Sequence, residues 1–314
     1  MSVYTQVATV KFADPFDETS DAESLRAAMK GLGTNEAEII NILANRTSNQ
    51  RQIIKEYYTQ TLERNLIDDL KSELGGHFED IMVTLMSPTE LYLAQVLHKA
   101  LQKKQDNVII EILCTRDKTS IAKIKSAYAE EHGTDLMDDL NNLEHESAKF
   151  KVFLLALASE DRREDEEDLS IAQQLSQKLV AAGEAVEDEL MEMVAQFNQP
   201  MMRLTFQEYS CCQEHDFQNV IEEKMPEEIK GVMKIVYETV CSPPTFFAKE
   251  LNSAVAGTGT DDPKLIRIVM SRCEIDMGNI KEEYEKLYET SLADAIKGDT
   301  SGDYKRALLA LIEC

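Results

Sequence analysis

The chain repeats itself, and this repeat restricts its possible folds more than any other feature. The run Gly-Leu-Gly-Thr at 31–34 recurs as Gly-Thr-Gly-Thr at 257–260, and we call the shift between these two runs the repeat offset. Two weaker copies of the same segment lie between them. An apolar pattern that recurs four times along a chain predicts four copies of one module, each stacked on its neighbours. The alignment of the copies also superimposes four tyrosines, which are Tyr58, Tyr128, Tyr209 and Tyr284.

The apolar residues inside a module have helical spacing. Ile39, Ile40 and Leu43 are followed by Ile53 and Ile54, and such a stripe is typical of helices that face a core. The chain has only 12 Gly and 7 Pro, and it lacks a run of alternating β-branched residues. We therefore predict an all-α protein with about five short helices in each module.

Each Gly-x-Gly-Thr run is predicted to form a tight turn between two helices. Thr34 and Thr260 come directly before apolar stripes and are followed by acids, so we expect these threonines to cap the helices. The two glycines carry no side-chain bulk, which allows successive carbonyl oxygens to converge on one point. Converging carbonyls suit a hard cation such as calcium, which takes about six to eight oxygen ligands.

A carboxylate follows each turn at the same distance along the chain. The separation from Met29 to Glu73 equals the separation from Val255 to Asp299. Either acid alone would more often be a solvated surface carboxylate. Their common spacing favours calcium ligation instead.

These motifs resemble those of the annexin family, and the resemblance covers residues 16–314. Further matching runs lie at 112–116, 271–276 and 297–305. The resemblance implies four annexin-type repeats of five helices each, forming a curved disc whose calcium loops meet phospholipid.

The resemblance also implies which residues would bind calcium. Two principal sites each combine three carbonyls with one carboxylate: Met29, Gly31, Gly33 and Glu73 in the first, and Val255, Gly257, Gly259 and Asp299 in the second. Two weaker accessory sites would use a threonine and an acid: Thr34 with Glu36, and Thr260 with Asp262. Leu32, at the tip of the first loop, would reach the bilayer interface.

The second and third repeats depart from this pattern, and we expect both to have lost their calcium sites. The second repeat has a shorter loop at 101–106, without either glycine, and Leu143 replaces the acid. In the third repeat Lys224 stands at the acid position, where it would repel calcium. The predicted segments are an N-terminal arm at 1–15 and repeats at 16–88, 89–160, 161–244 and 245–314, with a charged connector at 160–168.

The charge balance limits the possible partners. The chain has 33 basic and 58 acidic residues, a formal net charge of −25. This charge disfavours nucleic acid as a partner and disfavours direct attraction to an anionic bilayer, so membrane binding would need a cation bridge. The predicted cofactor is Ca²⁺, and the predicted partner is an anionic phospholipid surface containing phosphatidylserine or a similar lipid.

No stretch is long and apolar enough to span a membrane, and residues 1–13 lack the pattern of a secretory signal. We therefore expect a cytoplasmic protein that is peripheral at membranes when calcium rises. Its six cysteines have no C-x-x-C spacing, so free thiols are expected.

The leading functional hypothesis is calcium-dependent peripheral binding to anionic phospholipid membranes. The alternative is a calcium-independent helical scaffold for protein–protein interaction, which the two eroded repeats and the acidic surface suggest. Neither the five histidines nor the cysteines form a recognisable catalytic motif, so we do not expect an enzyme.

Overall fold

The computed structural model describes residues 5–31, 33–145, 148–159, 163, 167–213, 215–257 and 259–313. Within these ranges the chain forms α-helices and one short 3-10 turn, and a single isolated bridge joins Arg163 to Phe197. The predicted all-α fold is confirmed. Most of the predicted charged connector at 160–168 lies outside the described residues.

The helices follow one another in four groups of five, as expected for four repeats. The first group is α1 Glu18–Ala28, α2 Glu36–Leu43, α3 Ser48–Gln60, α4 Leu66–Glu73 and α5 Gly76–Leu85. The second is α6 Thr89–Lys103, α7 Asp106–Cys114, α8 Lys118–His132, α9 Leu136–Asn141 and α10 Ala148–Ala158. The third is α11 Leu169–Ala182, α12 Val186–Gln196, α13 Gln199–Gln213, α14 Phe217–Lys224 and α15 Glu227–Cys241, with the 3-10 turn Gly183–Ala185 between α11 and α12. The fourth is α16 Pro243–Val255, α17 Asp262–Arg272, α18 Met277–Tyr288, α19 Leu292–Asp299 and α20 Gly302–Glu313.

The chain divides into two compact units. One unit combines Met1–Tyr92 with Pro244–Cys314, and the other is the continuous segment Leu93–Pro243. The first unit therefore contains the first and last repeats, which carry the two Gly-x-Gly-Thr runs. The second unit contains the helices of the two repeats in which the pattern is eroded.

Side-chain caps fix where several helices of the first unit begin. Asp17 accepts a hydrogen bond from the backbone N–H of Ser20 at the start of α1, and Asn65 caps α4 in the same way. Thr47 and Gln50 form a reciprocal capping box at the start of α3. These caps hold short helices that would be marginal in isolation.

The N-terminal arm lies along the last repeat of the first unit. The Val7 carbonyl accepts a 2.8 Å hydrogen bond from the Gly278 N–H, and the Thr9 N–H donates to the Cys273 carbonyl at 2.9 Å. A Cβ atom placed on Gly278 would lie 2.6 Å from a Val7 methyl carbon, so the arm needs glycine at this position. The arm is therefore packed in place, although its predicted boundary at residue 15 stays a prediction.

The second unit has a core rich in aromatic residues. The rings of Phe206 and Phe217 stack with centroids 5.0 Å apart, and Tyr209 and Tyr237 meet them edge-on. Such contacts stabilise a core beyond simple burial of apolar area. This unit therefore keeps a well-packed interior despite the eroded loops.

One buried guanidinium joins the first and last repeats inside the first unit. The Arg51 side chain is 1 % exposed, and its Nη2 donates to Glu274 Oε1 at 2.9 Å. Its other N–H groups donate to the carbonyls of Leu85, Leu43 and Arg46. Burial lowers the pKa of Arg51, while the Glu274 charge opposes that shift. The guanidinium is thus satisfied by four oxygens in two repeats.

None of the described helices is long and apolar enough to cross a membrane. Five cysteines fall in the described ranges and all are free thiols: Cys114, Cys211, Cys212, Cys241 and Cys273.

Replacing Arg51 should destabilise the first unit strongly. Arg51→Met keeps most of the buried volume but removes the donor that three carbonyls share, and the expected loss in the free energy of unfolding is about 3–5 kcal/mol. Glu274→Gln is the matched control, because it keeps an acceptor at a side chain that is 27 % exposed, and should cost only about 1 kcal/mol. Urea unfolding followed by circular dichroism measures both. Equal losses in the two variants would contradict this account of Arg51.

Candidate metal centres

The first candidate loop connects α1 to α2 in the first repeat. It is closed by a 2.8 Å hydrogen bond from the Asn35 N–H to the Ala28 carbonyl. Gly33 has a φ of +86°, a left-handed conformation that side chains with a Cβ avoid. The loop therefore depends on glycine for its path. Leu32, expected at its tip, lies outside the described residues.

The second candidate loop connects α16 to α17 and has the same construction. The Asp261 N–H donates to the Ala254 carbonyl at 2.9 Å, and Gly259 has a φ of +94°. These contacts and angles match those of the first loop at the repeat offset. Two separate segments of the sequence thus build one type of turn.

Three carbonyls in each loop accept no hydrogen bond from the described residues: those of Met29, Gly31 and Gly33, and those of Val255, Gly257 and Gly259. The side chains of Met29 and Val255 are buried, at 3 % and 8 % exposure, so these residues can reach a loop ligand only through the backbone. Unbonded carbonyl oxygens at a turn are suitable ligands for a hard cation.

A carboxylate lies beside each loop. Glu73 is the last residue of α4, and its Oε2 accepts a 3.0 Å hydrogen bond from the Thr34 hydroxyl. Asp299 is the last residue of α19, and its Oδ2 accepts a 2.5 Å hydrogen bond from the Thr260 hydroxyl. The structure thus brings each predicted carboxylate to its predicted loop.

The expectation that the two threonines cap helices was wrong. Asn35 caps α2 and Asp261 caps α17, each accepting from a backbone N–H of the first turn. The threonines therefore lie one residue before the caps, where their hydroxyls are free to donate to Glu73 and Asp299. A carboxylate is a strong acceptor for a hydroxyl, so each of these contacts is a charge-assisted hydrogen bond.

The accessory acids begin the two helices that follow the loops. Glu36 is the first residue of α2, and Asp262 is the first residue of α17. Both face a pocket of about 490 Å³ that also contains the principal acids. The pocket is lined by Glu36, Glu73, Leu74, Gly75, His77, Phe78, Thr260, Asp262, Asp299, Thr300, Ser301, Asp303 and Tyr304.

Two further pocket residues, His77 and Tyr304, contact one another and are not among the predicted site residues. The His77 ring packs against the Tyr304 ring with centroids 5.5 Å apart, and its Nε2 lies 3.2 Å from Asp262 Oδ2. Burial, and then the neighbouring Asp262 carboxylate, raise the pKa of Tyr304, so the phenol stays protonated near neutral pH. The internal alignment gives no signal for this contact, since the repeat offset places His77 and Phe78 on Asp303 and Tyr304 and not on Asp262.

The donor set fits a hard cation better than a transition metal. Among the described residues no group of three or more His, Cys, Asp or Glu side chains is arranged to hold a metal ion. Each loop instead offers neutral carbonyl oxygens with one carboxylate close by, and all-oxygen ligation of this kind is preferred by calcium.

The second repeat has no comparable loop. Helix α6 continues to Lys103 and α7 begins at Asp106, so only two residues connect them. The Leu101 carbonyl, which corresponds to that of Met29, accepts from the Lys104 N–H at 3.3 Å. Leu143, at the acid position, is 8 % exposed and belongs to the core.

The third repeat also lacks the loop. A 3-10 turn at Gly183–Ala185 carries the chain directly from α11 into α12. Lys224 ends α14 at the acid position and is exposed. Both observations are consistent with the predicted loss of the two middle sites.

Comparison with known proteins agrees with this construction. A protein-family model described as Annexin matches residues 20–85, 92–157 and 246–311. The chain is 40 % identical over 316 residues to annexin B10 of Drosophila melanogaster, and the alignment covers 98 % of each protein. The chain belongs to the annexin family.

Solved annexin structures share the fold. The structure of annexin III superposes with a TM-score of 0.91 at 35 % identity, covering 100 % of this chain and 99 % of the other. A calcium-bound annexin (Sm)1 superposes with a TM-score of 0.90 at 29 % identity, covering 98 % and 93 %. The repeat architecture expected from the sequence is therefore confirmed.

The threonine hydroxyls should hold the principal acids of this annexin ready for a cation. Thr34→Val removes the hydrogen bond to Glu73, and Thr260→Val removes the contacts of its hydroxyl with the carboxylate and the carbonyl of Asp299. Side-chain shape is kept, so calcium affinity at the affected loop should fall about fivefold, for about 1 kcal/mol. Thr59→Val is the control, because that hydroxyl donates to the Lys55 carbonyl at an exposed position of α3. Calorimetric calcium titration measures the effect. Unchanged affinity in both loop variants would rule out this positioning role.

Proposed function

We propose that this annexin binds anionic phospholipid membranes through calcium held in the first and fourth repeats. The observation that carries the proposal is the repeated site: each of two loops in one unit has three carbonyls that accept no hydrogen bond from a described residue, and a carboxylate beside it. A single loop of this kind could be an ordinary helix connection. The same arrangement at two places indicates that both loops bind the same kind of ligand.

The number of ligands leaves room for a lipid. Three carbonyls and a bidentate carboxylate supply about five oxygens, whereas calcium takes about six to eight. In the first repeat the ligands would be Met29, Gly31, Gly33 and Glu73, and in the fourth Val255, Gly257, Gly259 and Asp299. The remaining positions would go to water or to a lipid phosphate oxygen.

Accessory sites would lie next to the principal ones. Thr34 with Glu36, and Thr260 with Asp262, would hold a further calcium ion in each loop region. Each pair joins a loop residue to the first residue of the following helix, and both acids line the pocket. Calcium held there would support contact with the same membrane surface.

The charge of the protein explains why calcium would act as a switch. A chain of net charge −25 is repelled by an anionic bilayer at short range, and salt screens that repulsion only partly within about 10 Å. Bound calcium reverses the sign of the charge at the loops and bridges carboxylate to phosphate. Without calcium the protein would stay in the cytoplasm, and with calcium it would become peripheral at membranes.

This proposal makes the protein a binding module without enzymatic activity, since calcium would link two surfaces and not activate a nucleophile. The calcium-bound state of the structurally similar annexin (Sm)1 supports calcium as the cation.

The alternative function is a calcium-independent helical scaffold for other proteins. It is favoured by the second unit, in which neither middle repeat has a Gly-x-Gly-Thr loop between its first two helices. The two functions differ in one respect, because only membrane binding through calcium should be abolished by a chelator.

Vesicle binding should require both calcium and anionic lipid. In the presence of calcium the protein should pellet with vesicles of phosphatidylserine and phosphatidylcholine, and a chelator should release it. Pure phosphatidylcholine vesicles should bind little, because they offer no net negative charge to bridge. Equal pelleting with calcium and with chelator would favour the scaffold function instead.

The two principal carboxylates should dominate calcium affinity. Glu73→Gln or Asp299→Asn removes a formal charge next to a divalent ion and should raise the calcium midpoint for pelleting on the order of tenfold. The double variant should lose more than either single variant, since a second attachment to one surface gains from effective concentration. Helical content should not change, because both acids lie at helix ends and outside the core.

Matched controls for these variants lie on the same two helices. Asp68→Asn on α4 and Asp294→Asn on α19 each neutralise an exposed acid that does not line the pocket. These controls should pellet like the wild type. A double variant with the wild-type calcium midpoint would eliminate Glu73 and Asp299 as calcium ligands.

A further inference from the structure

His77 contacts an accessory acid of a different repeat. Its Nε2 lies 3.2 Å from Asp262 Oδ2, and its Nδ1 lies 3.2 Å from Asp80 Oδ2. The ring also packs against Tyr304, with centroids 5.5 Å apart. We refer to His77, Asp80, Asp262 and Tyr304 as the cross-repeat cluster, since α5 of the first repeat meets α17 and α20 of the fourth within one unit.

The other accessory acid has different surroundings. The repeat offset aligns Glu36 with Asp262, His77 with Asp303, and Phe78 with Tyr304. Phe78 has no hydroxyl, and Asp303 forms an ion pair with Arg306. Within the described part of the chain the Glu36 side chain makes no hydrogen bond or ion pair. Glu36 and Asp262 are therefore equivalent in the repeat, but different side chains surround them.

We propose that His77 makes the two accessory calcium sites unequal by engaging Asp262, so that the site of Thr34 and Glu36 fills before the site of Thr260 and Asp262. This inference rests on the proposed function, because it concerns calcium at residues assigned there. His77 acts as a positioning residue and is not itself a calcium ligand.

The competition is for one carboxylate oxygen. Calcium can use Asp262 Oδ2 only if the His77 contact is broken, whereas Glu36 needs no such rearrangement. The His77 side chain is 54 % exposed and that of Asp262 is 18 % exposed, so solvent weakens the contact. Pairs with this exposure change an equilibrium about 1.5- to 5-fold, which sets the size of the expected effect.

His77 lies close in sequence to Glu73, the principal acid of the first repeat, and close in space to Asp262 of the fourth. His77 follows Glu73 closely in the chain, and the intervening residues include Gly75 and Gly76, at which helix α5 begins. A residue that contacts Asp262 of the fourth repeat thus lies just beyond the end of α4, whose last residue is the principal acid of the first repeat. Both repeats contribute to the environment of the fourth-repeat accessory site.

Calcium titration calorimetry without lipid tests this inference in two variant backgrounds. Glu36→Gln leaves the fourth-repeat accessory site, and there the addition of His77→Ala should tighten the weak calcium phase about 1.5- to 5-fold. Asp262→Asn removes that site, and there the addition of His77→Ala should change nothing. His215→Ala, an exposed histidine in the other unit, is the control and should be silent in both backgrounds.

A reciprocal variant tests the same inference from the opposite side. Asp303→His places a histidine at the position equivalent to His77 and should weaken binding at the Glu36 site. Circular dichroism should show unchanged helical content, because positions 77 and 303 are not fully buried.

The possible results separate this inference from the proposed function. A wild-type protein that binds no calcium would overturn both. A wild-type protein that binds calcium, with no tightening in the Glu36→Gln, His77→Ala double variant, would overturn only the inference. Weaker binding in that double variant would also overturn it, since His77 would then be helping to bind the ion.

Discussion

The buried guanidinium of Arg51 is the interaction on which the arrangement of the first unit depends. Arg51 and Glu274 are far apart in sequence, yet one hydrogen bond joins them across the first and last repeats. The same side chain donates to the ends of α2 and α5, through the carbonyls of Leu43 and Leu85. Helices α2 and α5 carry Glu36 and His77 at their other ends, so this contact in the core links two helices that line the pocket.

Much of this architecture could be predicted from the sequence, because its signals are local and repeated. Apolar spacing indicated the helices, and the internal repeat indicated four modules. The approach of Glu73 to Thr34 followed from a motif spacing that occurs twice. The helix caps were less predictable, since Thr34 and Asn35 are adjacent and either residue type can cap a helix. In the structure Asn35 is the cap, and Thr34 instead contacts Glu73 of another helix, which the local sequence does not show.

Contacts formed only once gave no sequence signal. Arg51 with Glu274, and His77 with Asp262, each join distant segments through one pair of side chains, with no periodic pattern to mark them. Alignment of the repeats does not reveal the second pair, because it places His77 opposite Asp303 and not opposite Asp262. In the second repeat the sequence did give a signal, since Leu143 stands in place of the acid and is buried in the core. A position that served a ligand in one repeat serves packing in another.

The first unit is assembled from two segments that are far apart in the chain, Met1–Tyr92 and Pro244–Cys314, whereas the second unit is continuous. During synthesis on the ribosome the continuous unit is complete before the last repeat has been translated. The first repeat cannot yet complete its packing at that stage, because Glu274, the partner of its Arg51, has not been synthesised. Domains fold as units when their residues have emerged. The segment with the paired loops is therefore the last part of the molecule to reach its final structure, and a chain truncated before Pro244 would contain only one of them.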